Sequence, residues 1–211
     1  MVMYNLSHLI QYDPQIVFGP IQDDEALFLF SLVRVLRLKR ILEVGFFKGY
    51  SATNFLAAVG KKGTVYSCDI NKITALEENH KPISKDVGEL TAQDVDGLPL
   101  DLVFFDCHSL IAQMKCFHKL KEAGIITDKT ILALHDTGTH PGKLHTAVVY
   151  TQIGPGEFVH QPVEREMVNM FADMGYSPLC LNMYIIRCSE DDLPFRHGLT
   201  IMSKFTKLRL S

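Results

Sequence analysis

Apolar runs separated by polar, glycine-punctuated breaks organise this sequence. Residues 1–22 mix polar and aromatic positions and are broken by Pro14, Gly19 and Pro20, which suits an irregular arm or lid. From Asp23 the pattern turns helical. Asp23 or Asp24 caps a helix in which Ala26, Leu27, Phe30, Leu32, Val33, Leu36 and Leu38 recur at roughly helical spacing, ending near Lys39. Ile41, Leu42 and Val44 read as a short buried strand, Gly45 and Gly49 bracket a turn, and Ser51 to Val59 form a helix stopped by Gly60. GTVYSCD is a second strand with Asp69 at its carboxyl end, and a helix is expected over 71–80. Between 81 and 100 periodicity is weak and turn formers are many, so a short third strand is expected there without fixed limits.

LDLVFFD is the clearest buried strand, with Asp106 at its end. A helix running to about Lys121, Gly124, and a further apolar strand TILALHD follow. Residues 139–158 read as a long connection with one short helix, and Val163 to Met174 as an amphipathic helix stopped by Gly175. SPLCLNMYII and HGLTIMSKF are the final strands, with a turn at DDLP. Strand, helix and strand alternating in this way predict an α/β domain over 23–211, its parallel sheet covered on both faces.

Composition narrows the class. The chain has 211 residues, 47% of them hydrophobic, enough to build a core without disulfides or structural metal. A formal charge of −3, with only short basic stretches at Arg34–Arg40 and Lys204–Arg209, argues against nucleic acid as a partner. The five cysteines (68, 107, 116, 180 and 188) form no CxxC pair and suit reduced thiols, hence a cytoplasmic protein. The N-terminus lacks the pattern of a signal peptide, and no apolar run approaches the length of a membrane span.

Ligands of an open parallel sheet bind outside the carboxyl ends of its strands. Four acids fall at such ends: Glu43, Asp69, Asp106 and Asp136. A buried carboxylate is costly without a partner, and four in register exceed what solubility requires. In EVGFFKGYS, Gly45 lets the chain turn directly off the strand and Gly49 permits a second close approach ahead of a helix N-terminus. This is not the G-x-G-x-x-G dinucleotide fingerprint, and the bulk of Phe46 and Phe47 argues against a pyrophosphate. A nucleoside cofactor without one fits better, which disfavours a nicotinamide oxidoreductase.

ILEVGFFKGYSA, VYSCDI, DLVFFDCHS and LALHDTG, in this order and spacing, resemble the class I S-adenosylmethionine-dependent methyltransferases. The similarity is to the small-molecule O-methyltransferases of the caffeoyl-CoA, catechol and macrocin type, and it extends over about residues 25–206. The resemblance implies a Rossmann-like, doubly wound, mostly parallel seven-stranded sheet with helices on both faces. It implies methyl transfer from S-adenosyl-L-methionine to a small-molecule hydroxyl. Glu43, Gly45, Phe46, Gly49 and Ser51 would line the methionine moiety and Asp69 hold the ribose, with Asp94 as the adenine contact. Asp106 would lie close to the sulfonium. His108 matches the histidine of a D-G-D-H version of the motif, although Asp106-Cys107-His108-Ser109 is one residue shorter.

His135-Asp136 lies where metal-dependent relatives carry Asp-Asn or two acids. Two routes to an activated acceptor stay open. Asp106 and Asp136, with His135 or a neighbour, would hold Mg²⁺, or Asp136 or His108 would take the hydroxyl proton directly. His135, His140 and His145 are spaced by five, which is not a helical face and reads as a loop rather than a zinc site. Tyr4, Tyr12, Phe18, His140, His145 and Phe158 are the acceptor-pocket candidates. The resemblance also raises homodimerisation, for which the leucine- and phenylalanine-rich first helix is suited. A hydroxylase-like enzyme of the same fold and a non-catalytic binding protein are the competing readings.

Overall fold

The computed structural model describes residues 21, 23–137, 148–154, 157–181, 187–188, 194–195 and 198–204. Helix α1 (Asp23–Leu36) leads into β1 (Arg40–Val44), and α2 (Tyr50–Val59) follows the turn after it. β2 (Thr64–Asp69), β3 (His80–Ser84), β4 (Leu102–Phe105), α3 (Leu110–Glu122) and β5 (Ile131–Leu134) complete the first part. The hairpin β6 (Val148–Gly154) and β7 (Glu157–Pro162) then leads to α4 (Val163–Asp173) and β8 (Ser177–Leu181). The short pair β9 (Arg187–Cys188) and β10 (Pro194–Phe195) precedes β11 (Leu199–Ser203).

The main sheet has seven strands in the order β3-β2-β1-β4-β5-β11-β8. β1 to β5 are mutually parallel, and β11 runs antiparallel to both β5 and β8. The strands read as continuous apolar runs because both faces are covered. Ile41, Val65, Leu102, Phe104, Ile131 and Ala133 pack with α1 and α2 on one face. Leu42, Tyr66, Val103, Phe105, Leu132 and Leu134 pack with α3 and α4 on the other. This strict alternation fixes which way the residue just past each strand points. Ile21 is buried in the α1/α2 core; the rest of the expected N-terminal arm lies outside the described residues.

No helix forms over 71–80. Side chains hold the backbone in a turn instead: Asp69 accepts from the N–H of Asn71 at 2.9 Å and Ser84 from Ile73 at 3.1 Å, while His80 Nδ1 takes at 3.1 Å the Leu76 N–H that a helix would bond to the carbonyl four residues back. The third strand is β3, whose edge position tolerates Pro82. The short helix expected within 139–158 is replaced over its described part by β6 and the start of β7, where Val148, Val149, Tyr150, Thr151 and Ile153 favour extended backbone. Among the described residues no helix is long and apolar enough to cross a membrane.

Candidate active site

The turn off β1 is shaped by close approach. Gly45, at φ 99°, lies beside the end of β4, and a Cβ there would sit 2.2 Å from the carbonyl oxygen of Asp106. Gly49, at φ 78°, opens α2, and its Cβ would meet the Phe46 ring at 2.6 Å. Glu43 is fully buried one residue from the end of β1, paired in register with Ser67. The Ser67 hydroxyl donates to its Oε2 at 2.6 Å, and Ser51 donates to its Oε1. Burial dominates over these bonds and pushes the Glu43 carboxyl up to about 8. Asp69, at the end of β2, accepts the N–H groups of Phe46 at 3.0 Å, Phe47 at 3.3 Å and Asn71 at 2.9 Å. Partial burial raises its carboxyl, but the hydrogen bonds from Asn71, Phe46 and Phe47 together outweigh it and hold the group below its ordinary value. Phe46 stacks on His80, ring centroids 5.7 Å apart.

A second group lies at the ends of β4 and β5. Following the sheet's alternation, Asp106 and His135 continue the α1/α2 face, while Asp136 continues the α3/α4 face. His135 is buried, with Nδ1 at 3.2 Å from Asp106 Oδ1 and 3.4 Å from Asp136 Oδ1. Its Nε2 faces the buried Glu25 of α1 at 3.3 Å. Burial opposes charge on this ring, yet Asp136 and Asp106 outweigh it and hold the imidazole protonated well above its usual range. Burial in turn raises Asp106 to about 6.

His108 closes the group from the other side. Its Nε2 lies 3.6 Å from Asp136 Oδ2 and 3.9 Å from Asp106 Oδ1, and its Nδ1 lies 3.3 Å from Glu164 Oε1. Glu164, buried in the first turn of α4, also accepts the backbone N–H of His108 at 2.9 Å and the Gln113 amide at 3.0 Å. The bond to Glu164 raises His108 to about 9. His108 and Asp136 both adopt positive φ, 55° and 54°, a conformation that costs a non-glycine residue of order 1–3 kcal/mol and is common at functional sites.

The O-methyltransferase family profile matches residues 5–89, which include β1, its turn, α2 and β2. That match spans less than half of the chain and makes this region similar to the O-methyltransferases. No curated protein matches the sequence. Solved structures share its fold at low identity. A Staphylococcus aureus protein assigned to the caffeoyl-CoA O-methyltransferases has a TM-score of 0.65 at 14% identity, covering 95% of this chain and 92% of its own. The O-methyltransferase TomG of Streptomyces achromogenes, of tomaymycin synthesis and in complex with S-adenosylmethionine, has 0.55 at 16%, covering 94% and 88%. The methyltransferase MycE of the mycinamycin biosynthetic pathway, in complex with Mg, S-adenosylhomocysteine and mycinamycin VI, has 0.56 at 16%, covering 98% and 56%.

The chain therefore carries two poles along one sheet edge. Glu43, Gly45, Phe46, Gly49, Ser51 and Asp69 gather at β1 and β2, and Asp106, His108, His135 and Asp136 at β4 and β5. The short Asp106-Cys107-His108 spacing still delivers His108 to the group, because its positive φ turns the chain back toward Asp136. Asp94 stands apart: it is tied to Lys85 at 2.9 Å and to the N–H and hydroxyl of Thr91, each at 2.8 Å. The turn at 85–88 lies nearer Asp69, whose carbonyl accepts the N–H of Lys85 at 3.0 Å. Of the pocket candidates, Tyr4, Tyr12, Phe18, His140 and His145 lie outside the described residues, and the side chain of Phe158 is likewise not described.

Sequence reasoning missed Glu25 and Glu164. Each sits in the first turn of a helix, where an acid is expected for the helix dipole alone, so no local signal marks its inward role.

Proposed function

We propose that the chain is a methyltransferase that binds S-adenosylmethionine across the β1–β2 pole and places a small-molecule hydroxyl at the β4–β5 pole. The observation that carries this reading is the adjacency of the two poles: Gly45 packs against the Asp106 backbone, so a methyl donor over Gly45 faces the Asp106–His108–Asp136 group. Asp69 would take the ribose hydroxyls and the Gly45–Gly49 turn the methionine end.

Methyl transfer from a sulfonium is an in-line displacement: the acceptor oxygen forms the new C–O bond as the S–C bond breaks, and the hydroxyl proton leaves. Holding the two partners in line supplies much of the rate. His108 keeps its proton to about pH 9 when hydrogen-bonded to Glu164, so at neutral pH it supports negative charge on the acceptor oxygen rather than taking the proton. Asp106, raised to about 6, is the nearer match for a proton acceptor. His135, enclosed by Glu25, Asp106 and Asp136, orients those carboxylates.

The residues also fit a divalent cation. Asp106, His108 and Asp136 each offer one ligand atom, and these atoms lie within 4.8 Å of one another, which suits metal–ligand bonds of about 2.0–2.3 Å. When bound, such a cation would lower the pKa of an acceptor hydroxyl. The free thiols of Cys68, Cys107, Cys116 and Cys180 support a reducing, cytoplasmic setting. Exposed Leu27, Val35 and Leu36 on α1 support a homodimer, which light scattering on the purified chain would test.

The function test is release of S-adenosylhomocysteine from S-adenosylmethionine in the presence of phenolic, catecholic and sugar hydroxyl acceptors, with the methylated product identified by mass spectrometry. Turnover with one class establishes the reading. Failure to bind the methyl donor, with or without acceptors and divalent cations, overturns it.

A further inference from the structure

We propose that His108 is itself a ligand of the cation site, its ring held by the buried carboxylate of Glu164, and that this nitrogen makes the site select Mn²⁺ over Mg²⁺. The inference rests on the reading that Asp106 and Asp136 hold a divalent cation.

The two histidines of the group are not equivalent. His135 has a carboxylate against each ring nitrogen and is buried, so it offers no open lone pair. His108 is 43% exposed on its side chain and turns Nε2 toward Asp106 and Asp136. Its Nδ1 faces Glu164 Oε1 at 3.3 Å. A ligating histidine almost always gives its other ring N–H to a carboxylate or carbonyl, which fixes the tautomer and the ring plane, and Glu164 stands where that partner belongs. Glu164 is in turn fixed by the His108 backbone N–H and by Gln113, so the outer carboxylate is rigid before any cation arrives.

Charge points the same way. Four carboxylates, Glu25, Asp106, Asp136 and Glu164, meet here against two imidazoles. Glu164 Oε2 is buried without a hydrogen-bond partner among the described residues. Buried negative charge of this density calls for a further positive charge.

Two carboxylate oxygens and one imidazole nitrogen form a mixed donor set. Magnesium and manganese both suit carboxylate oxygen, but manganese, as a first-row transition ion, gains more from an added nitrogen donor than the harder magnesium does. The selectivity therefore follows from His108, and the orientation of His108 follows from Glu164.

The test uses the purified full chain, dialysed against a chelator and titrated with Mn²⁺ under electron paramagnetic resonance. Pulsed measurements report directly bound ¹⁴N. The expected result is an Mn²⁺ site with imidazole ¹⁴N coupling, for which Mg²⁺ competes at least ~10-fold more weakly. His108→Ala should lose the coupling and weaken Mn²⁺ by about 10-fold or more while changing Mg²⁺ little. Glu164→Gln should keep the coupling and weaken Mn²⁺ by roughly 10–100-fold. An Mn²⁺ site without nitrogen coupling in the wild-type chain, or unchanged Mn²⁺ affinity in the folded His108→Ala variant, overturns the inference and leaves the carboxylate site standing. Absence of Mn²⁺ and Mg²⁺ binding in the wild-type chain, with and without S-adenosylmethionine, overturns the inference and the cation reading together, while turnover with chelator would still uphold methyl transfer.

Discussion

Gly45 and Asp106 touch backbone to backbone: the space a side chain would need at Gly45 is filled by the Asp106 carbonyl, 2.2 Å from where a Cβ would be. The contact follows from register, because Val44 pairs with Phe105 and each chain runs one residue further. Gly45 also holds φ at 99°, which L side chains rarely adopt. Gly45→Ala is therefore expected to cost roughly 2–4 kcal/mol of stability and to abolish measurable S-adenosylmethionine binding. Chemical denaturation and calorimetric titration check the two effects separately. An alanine variant of wild-type stability and affinity would mean that the turn sits away from Asp106.

Asp69 holds the turn after β1 through the N–H groups of Phe46 and Phe47, and on the proposed reading it would also take the cofactor's ribose. Asp69→Asn keeps the shape and some acceptor capacity but removes the charge. A charge-assisted hydrogen bond contributes about 1.5–3 kcal/mol, so the methyl donor should bind roughly 10–100-fold more weakly. Calorimetry with S-adenosylmethionine measures this. Affinity within threefold of wild type would place the ribose elsewhere, the turn at 85–88 being the next polar surface along the sheet edge.

The alternating pattern of buried strands made most of the sheet legible, and the strand-end acids marked its working edge. β3 was hidden because Lys81 and Pro82 break the apolar run that an inner strand would need, and only an edge strand accommodates them. The expected helix at 71–80 is replaced by a turn in which the side chains of Asp69, Ser84 and His80 accept the N–H groups of Asn71, Ile73 and Leu76, a local competition that apolar spacing does not show. Glu25 and Glu164 were illegible because what distinguishes them is the imidazole opposite, which only the packing of α1 and α4 supplies. Asp106, His108, His135 and Asp136 were visible by position, but the division between an enclosed His135 and an open His108 needed coordinates.

Phe117 anchors the α3/α4 face. It is wholly buried, its ring 4.6 Å from that of Phe171 and 6.2 Å from that of Tyr176. Phe117→Ala should cost about 3–5 kcal/mol and lower the melting temperature by roughly 10 °C. Glu164 lies on α4, which packs against the same cluster, so the variant should also weaken methyl transfer while leaving S-adenosylmethionine affinity within about threefold, because the β1–β2 pole belongs mainly to the other face. Differential scanning calorimetry and donor titration test the separation. An equal loss at both poles would show that the two faces do not act independently.

Glu43 gives the fold a pH dependence of its own. Its carboxyl is raised from 4.5 to about 8 by burial, so the folded chain holds a proton that the unfolded chain releases. The resulting stabilisation is complete below pH 4.5 and is lost as pH rises through about 8, the reverse of a salt-bridged carboxylate. Glutamine cannot ionise and keeps the size and neutral charge of the protonated acid. Between pH 5 and pH 8.5 the stability of wild type should therefore fall by ~2–4 kcal/mol relative to Glu43→Gln. Urea unfolding of both proteins at a series of pH values isolates this difference, because His108, Asp106 and every other titrating group are common to the pair. A difference that stays flat across the range would mean that Glu43 is ionised in the folded state, with the hydroxyls of Ser51 and Ser67 together outweighing burial.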